Sequence, residues 1–159
     1  MPVIIDGHNL LRSIQKLSED FESVNDLRLC HIVGRYLKLT GEKGEIVFDG
    51  TGPPDKTSYG NISNLEVLFA GRNTDADKVI QDKIRANTAP KRLTVVSSDR
   101  KLQAAARARK ATALKSNVFW ANLQKQLSRR TKIKEPPAKR HGLSEAETEQ
   151  WLKFFRIKH

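Results

Sequence analysis

Val3-Ile4-Ile5-Asp6-Gly7-His8-Asn9-Leu10-Leu11 is the stretch from which the fold is read. Three apolar residues form a strand that closes on an aspartate, and Leu10, Leu11, Ile14 and Leu17 then take helical spacing. Gly7 reads as the turn residue, and Asn9 as either a helix cap or a functional side chain. The pattern recurs along the chain. Ile46-Val47-Phe48 ends on Asp49, Leu93-Thr94-Val95-Val96-Ser97-Ser98 ends on Asp99, and Leu65 to Phe69 leads across a short loop to Asp75 and Asp77. In an open α/β sheet, parallel strands deliver their C-terminal ends to one edge, so carboxylates placed there converge on one crevice.

Helical segments separate these strands. One runs from about Asp26 to Leu39, with Leu27, Cys30, Val33 and Leu37 on one face and Gly41 and Gly44 behind it. A second opens at about Asp75 with Thr74 as its expected cap, and turns Ala76, Val79, Ile80 and Ile84 inward. Asp99 begins a third, holding Leu102, Ala105 and Ala106, and Asn117-Val118-Phe119 reads as a short fifth strand before a helix with Leu123 and Leu127. This alternation predicts an α/β fold, a three-layer α/β/α sandwich with a mainly parallel central sheet. Residues 1–127 form the domain, 128–142 a basic linker, and 143–159 an amphipathic helix whose Trp151, Leu152, Phe154 and Phe155 are expected to pack on the domain. With 159 residues, one core is expected.

Composition narrows the function classes. No apolar run reaches the roughly 18 residues of a membrane span, and Met1-Pro2-Val3 enters a strand without a basic leader, so a cytoplasmic protein without membrane contact is expected. Cys30 is the only cysteine, which excludes an intrachain disulfide and a cysteine zinc finger within one chain; it reads as buried helix filler. The formal net charge is +11. Residues 1–90 carry 11 Lys/Arg against 13 Asp/Glu, whereas residues 91–140 carry 15 against 2. A block of one sign attracts a polyanion, and nucleic acid is the expected one. Arg100, Lys101, Arg107, Arg109 and Lys110 fall on or after the helix begun by Asp99, with Arg129, Arg130 and Lys132 further on, and these are the expected phosphate contacts. Trp120 reads as core, while Tyr59, in its loop, is open between core packing and stacking on a base.

Several carboxylates in one crevice repel unless a cation neutralises them, and an all-oxygen set suits Mg²⁺ or Mn²⁺. Asp75 and Asp77 also have a plain structural reading, because the first turn of a helix favours acidic residues. Ser97 and Ser98 have no evident histidine partner and read as turn and cap residues, Ser98 being a candidate phosphate contact as well. His8 is more plausible as a substrate contact or an exposed residue than as a general base, and His31 reads as structural.

Asp6-Gly7-x-Asn9, Thr74-Asp75-Ala76-Asp77-x-x-Ile80 and Ser97-Ser98-Asp99, in this order at strand ends, resemble the motifs of the NYN domain, specifically its YacP-like branch within the PIN-like nuclease superfamily. The resemblance covers roughly residues 2–125, and Leu143-Ser144-Glu145-x-Glu147 before an aromatic helix is similar to the tail of that branch. It implies a PIN-like sandwich and a divalent-metal-dependent endoribonuclease, with Mg²⁺ or Mn²⁺ as cofactor, RNA as substrate and the ribosome as a possible partner. It further implies that Asp6, Asp77 and Asp99 bind metal, that Asn9 orients a metal-bound water or phosphate, and that Asp75 and Asp49 are outer members of the set. Relatives often carry an acidic residue where this chain has Gln81. The alternative is a non-catalytic RNA- or ribosome-binding module of the same fold, with oligomeric state open between a monomer and a weak dimer. An aspartyl-phosphate phosphatase is disfavoured, since Asp6 has no second aspartate two residues on, and no Gly-x-Gly-x-x-Gly follows the first strand.

Overall fold

The computed structural model describes residues 2–17 and 24–133, with side chains to residue 129; the expected closing helix and most of the basic linker lie outside the described residues. Alternation within each strand sets the architecture, because successive side chains leave opposite faces of a sheet. In β1 (Pro2–Asp6), Val3 and Ile5 enter one core and Ile4 the other; in β2 (Lys43–Phe48), Ile46 and Phe48 enter the first and Val47 the second. Both faces must therefore be covered by helices. The first core lies under α1 (Gly7–Gln15), α2 (Asp26–Thr40) and α5 (Ser116–Ile133), and the second under α3 (Ala76–Ala86) and α4 (Arg100–Ala108).

With β3 (Leu65–Phe69), β4 (Thr94–Val96) and β5 (Thr112–Leu114), the sheet has five strands in the order β3-β2-β1-β4-β5. All four pairings are parallel, so the sheet is wholly rather than mainly parallel. Chain order runs outward from β1 to β3 and then jumps back across β1 to β4. The switch point, where the ends of two neighbouring strands diverge into helices on opposite faces, lies between β1 and β4.

Three local expectations are corrected. The fifth strand is Thr112–Leu114, and residues 117–119 belong to the first turn of α5, where Phe119 joins the inward face with Ser116, Trp120, Leu123, Gln124 and Leu127. The 3.6-residue period of that face outweighs the strand propensity of Val118 and Phe119. The basic stretch from Ser128 begins as a continuation of α5 through Ile133 rather than as a linker. Finally, Asp75 and not Thr74 caps α3, its side chain accepting from the Lys78 N–H.

Gly7 is needed for space rather than for a turn. It is the first residue of α1, and a Cβ there would run into the fully buried Phe48 ring, itself stacked on Phe69 at 5.8 Å. Gly7→Ala should destabilise the fold by about 1–3 kcal/mol, read as a lower urea midpoint with an unchanged slope.

Candidate active site

Asp6 ends β1 beside the switch point and is 8% exposed. Its Oδ2 accepts from the hydroxyl of buried Ser97 (3.2 Å), which follows β4 and in turn accepts from the Asp99 N–H (3.0 Å). One serine thus fixes both the carboxylate of the first strand and the backbone that presents Asp99. Asp99 caps α4, with Oδ1 accepting from the N–H groups of Lys101 (2.7 Å) and Leu102 (3.4 Å); its Oδ2 has no partner among the described residues.

The opposite wall is built from α3. Asp77 lies in its first turn, half-buried, and Asp75 is its cap. Asp49, after β2, latches this helix to the sheet: its Oδ1 accepts from the Ala76 N–H (2.7 Å) and its Oδ2 stands 3.5 Å from His8 Nδ1. The same Nδ1 lies 3.3 Å from the Asp49 N–H, and the ring stands edge-on to Phe48 at 5.2 Å. His8 is thereby held at the rim by Asp49 and Phe48.

Asn9 lies inside α1 and does not cap it. Its Oδ1 accepts from the Ser98 N–H (2.9 Å) and from the hydroxyl of buried Ser116 (2.6 Å), while Ser98 Oγ accepts from the Ser116 N–H (3.1 Å). Asn9 is therefore a clamp joining α1, the loop after β4 and the start of α5. Ser116 was not a candidate from sequence, nor was the orienting role of Ser97; a serine opening a helix is the only local sign of the first, and the second depends on contacts across 91 residues.

The carboxylates press on one another. Burial pushes Asp6 up to about 6, Asp77 and Asp49 add to this, and the Ser97 hydroxyl and Asn9 backbone N–H oppose it. Asp77 is raised by its own desolvation and by Asp99 and Asp75, with Lys101 counteracting. An oxygen-only set whose ionised forms disfavour each other suits a hard divalent cation. Among the described residues no three acidic or imidazole groups already form a coordination cage. The donor set therefore fits a hard divalent cation that keeps part of its shell as water while the carboxylates draw in around it.

The expected phosphate contacts divide between two edges. Arg100 and Lys101 stand in the first turn of α4 beside Asp99, and Ser98 is exposed there. Arg107, Arg109 and Lys110 lie at the far end of α4, at the N-terminal edge of the strands, so they do not border the crevice. Arg129 is exposed near the end of α5, and the side chains of Arg130 and Lys132 lie outside the described residues. Tyr59 is buried edge-on against Phe69 at 5.3 Å, and Trp120 is fully buried, so both are core residues. Cys30 is buried filler, as expected, and His31 is exposed on α2. A groove of about 640 Å³ lined by Val3, Lys43, Glu45, Asn64 and Lys83 opens at the N-terminal edge, away from the carboxylates, and its one close ion pair is Lys83 with Glu45 at 2.7 Å.

Asp6→Asn should stabilise the protein at neutral pH. Above pH 6 the native carboxylate bears the full cost of burial, between 6 and 3.8 the native state holds a proton that the unfolded state lacks, and below 3.8 both states hold it. The gain in melting temperature is therefore largest above pH 6 and fades as the pH falls to about 4. Ser116→Ala, which removes the donor to Asn9, should cost about 1–3 kcal/mol in urea unfolding.

The sequence profile of the YacP-like NYN domain matches residues 3–156. The fold is similar to that of a crystal structure of Rae1 (YacP) from Bacillus subtilis, with a TM-score of 0.69 at 23% identity, covering 98% of this chain and 95% of that one. A single-substitution mutant of the same Bacillus subtilis protein gives a TM-score of 0.63 at 22% identity, over 98% of this chain and 92% of that one. Among proteins of curated function none matches the sequence. No described helix is long and apolar enough to cross a membrane. With the profile spanning nearly the whole sequence, and with a five-stranded parallel sheet that carries its carboxylates at the switch point, the chain belongs to the YacP-like NYN domain family, within the PIN-like nuclease superfamily.

Proposed function

We propose that this protein is a divalent-metal-dependent endoribonuclease acting in the cytoplasm. The observation that carries the reading is a carboxylate, Asp6, buried at the switch point, disfavoured as an anion first by its desolvation and then by Asp77 and Asp49, with Asp77 itself raised by desolvation, Asp99 and Asp75. A structural role explains Asp75 and Asp49, which serve as a cap and a latch, but not Asp6, whose burial as an anion costs stability.

Asp6, Asp77 and Asp99 are the groups that would hold Mg²⁺ or Mn²⁺, with Asp75 and Asp49 lending negative charge from outside. Such an ion would supply Lewis-acid activation of water and neutralisation of charge at the phosphate. The chain's own residues do the positioning. Ser97 holds Asp6, Asn9 fixes the loop that presents Asp99, and Arg100 and Lys101 face an incoming phosphate. Two cations in the first turn of α4 oppose the helix dipole, a placement that an anion bound beside them would repay. No side chain here need act as a covalent nucleophile. RNA is the substrate class that the family implies, and RNA on the ribosome is the form we favour, given the basic surface.

A non-catalytic RNA-binding module is the second reading, favoured by the lack of a preformed cage among the described residues. Asp77→Asn and Asp99→Asn distinguish the two. The nuclease reading expects each to lower Mn²⁺-dependent cleavage of single-stranded RNA on the order of a hundredfold or more while the melting temperature stays within a few degrees. Wild-type protein that binds RNA but never cuts it, with binding indifferent to either substitution, would establish the module instead.

A further inference from the structure

The basic residues displaced from the crevice form a surface of their own. Arg92 ends the short 3₁₀ turn Pro90–Arg92 two residues before β4, and Lys110 stands two residues before β5. Thr94 pairs with Thr112 and the Thr112 N–H donates to the Leu93 carbonyl (2.9 Å), so the two cations flank adjacent strands that are only about 4.8 Å apart. Lys91 is next to Arg92, and Arg107 and Arg109 close the end of α4, where Arg109 Nη2 donates to the Asn87 carbonyl (2.8 Å). All five side chains are exposed, and among the described residues none pairs with a carboxylate. The ion pairs on the neighbouring β2 and α3 join other residues: Glu45 with Lys83, and Asp82 with Lys78 and Arg85. Lys110 even adopts φ +65°, a left-handed position that glycine fills without strain.

This edge is the opposite one from the crevice. Six residues of largely extended chain separate Arg92 from Asp99, a distance on the order of 20 Å and more than two Debye lengths at physiological salt. Charges there neither balance the carboxylates nor reach a phosphate held at them. We propose that Lys91, Arg92, Arg107, Arg109 and Lys110 form a second RNA-binding surface, which grips the phosphate backbone of a folded or long RNA while its scissile strand lies in the crevice. The proposal rests on the reading of the protein as an RNA-directed nuclease and deepens it: the substrate is an RNA large enough to reach both edges. A short strand engages only the crevice.

The test compares full-length wild type with Lys91→Glu/Arg92→Glu, two exposed residues outside the crevice. Binding at several salt concentrations, with Ca²⁺ in place of Mn²⁺ so that the crevice keeps a divalent cation, uses two probes, a stem-loop RNA of about 40 nucleotides with a single-stranded tail and a single strand of about 8 nucleotides. Affinity for the long probe should fall about tenfold or more and its salt slope by roughly 1 to 2, while affinity for the short strand changes less than twofold. Equal losses on both probes, or none on either, would overturn the second surface. Wild type that binds neither probe would end the RNA reading and this proposal together. Wild type that binds both but fails to cut with Mn²⁺ would end the nuclease reading alone, with the binding arms still deciding the surface. Should the double charge reversal lower the melting temperature, Lys91→Gln/Arg92→Gln carries the same comparison.

Discussion

Burying one carboxylate between two parallel strands is the constraint on which the rest of the site depends. Asp6 is almost out of water, its anionic form is destabilised, and one neutral hydroxyl, from Ser97, steadies it. The neighbours that would ordinarily relieve such a group make matters worse, since Asp77 and Asp49 carry the same sign. A fold keeps an arrangement of this kind when the cost is recovered in function, because a neutral residue of the same shape would be more stable.

The sheet topology explains why this edge hosts the chemistry. The strand order places β1 beside β4, so Asp6 and the Ser97-Ser98-Asp99 turn meet although they are about ninety residues apart in sequence. Asn9 and Ser116 extend the same connection to α5, so the loop presenting Asp99 is held from both sides. On the other wall, Asp49 anchors the start of α3 and so sets where Asp77 stands. Rigid strand ends and capped helices hold the carboxylates in place despite their repulsion, and the same topology sends the end of α4, with its arginines, to the far edge.

Much of this could be read in the sequence because each of the first four strands leads, at its end or across a short loop, to an aspartate. β1, β2, β3 and the start of α4 carry strong local signals: apolar runs, an aspartate, then helical spacing. β5 does not, since Thr112-Ala113-Leu114 is three residues long with one large apolar side chain, and the neighbouring Val118 and Phe119 imitate a strand better. Asn9 looked like a cap because its partners, Ser98 and Ser116, lie 89 and 107 residues away. Charge in sequence likewise gave one basic block. Only the fold divides it between two edges, because α4 runs the length of a strand between Lys101 and Lys110.

Titration of the full chain with Mn²⁺ by calorimetry at pH 6.0 and 7.5 tests the central claim most directly. If Asp6, Asp77 and Asp99 hold the ion, binding is saturable, releases more protons at pH 6.0 than at 7.5 because Asp6 is then partly protonated, and is lost in Asp77→Asn. No saturable binding, or binding left unchanged by Asp77→Asn at both pH values, would contradict the assignment of this crevice as a metal-dependent active site.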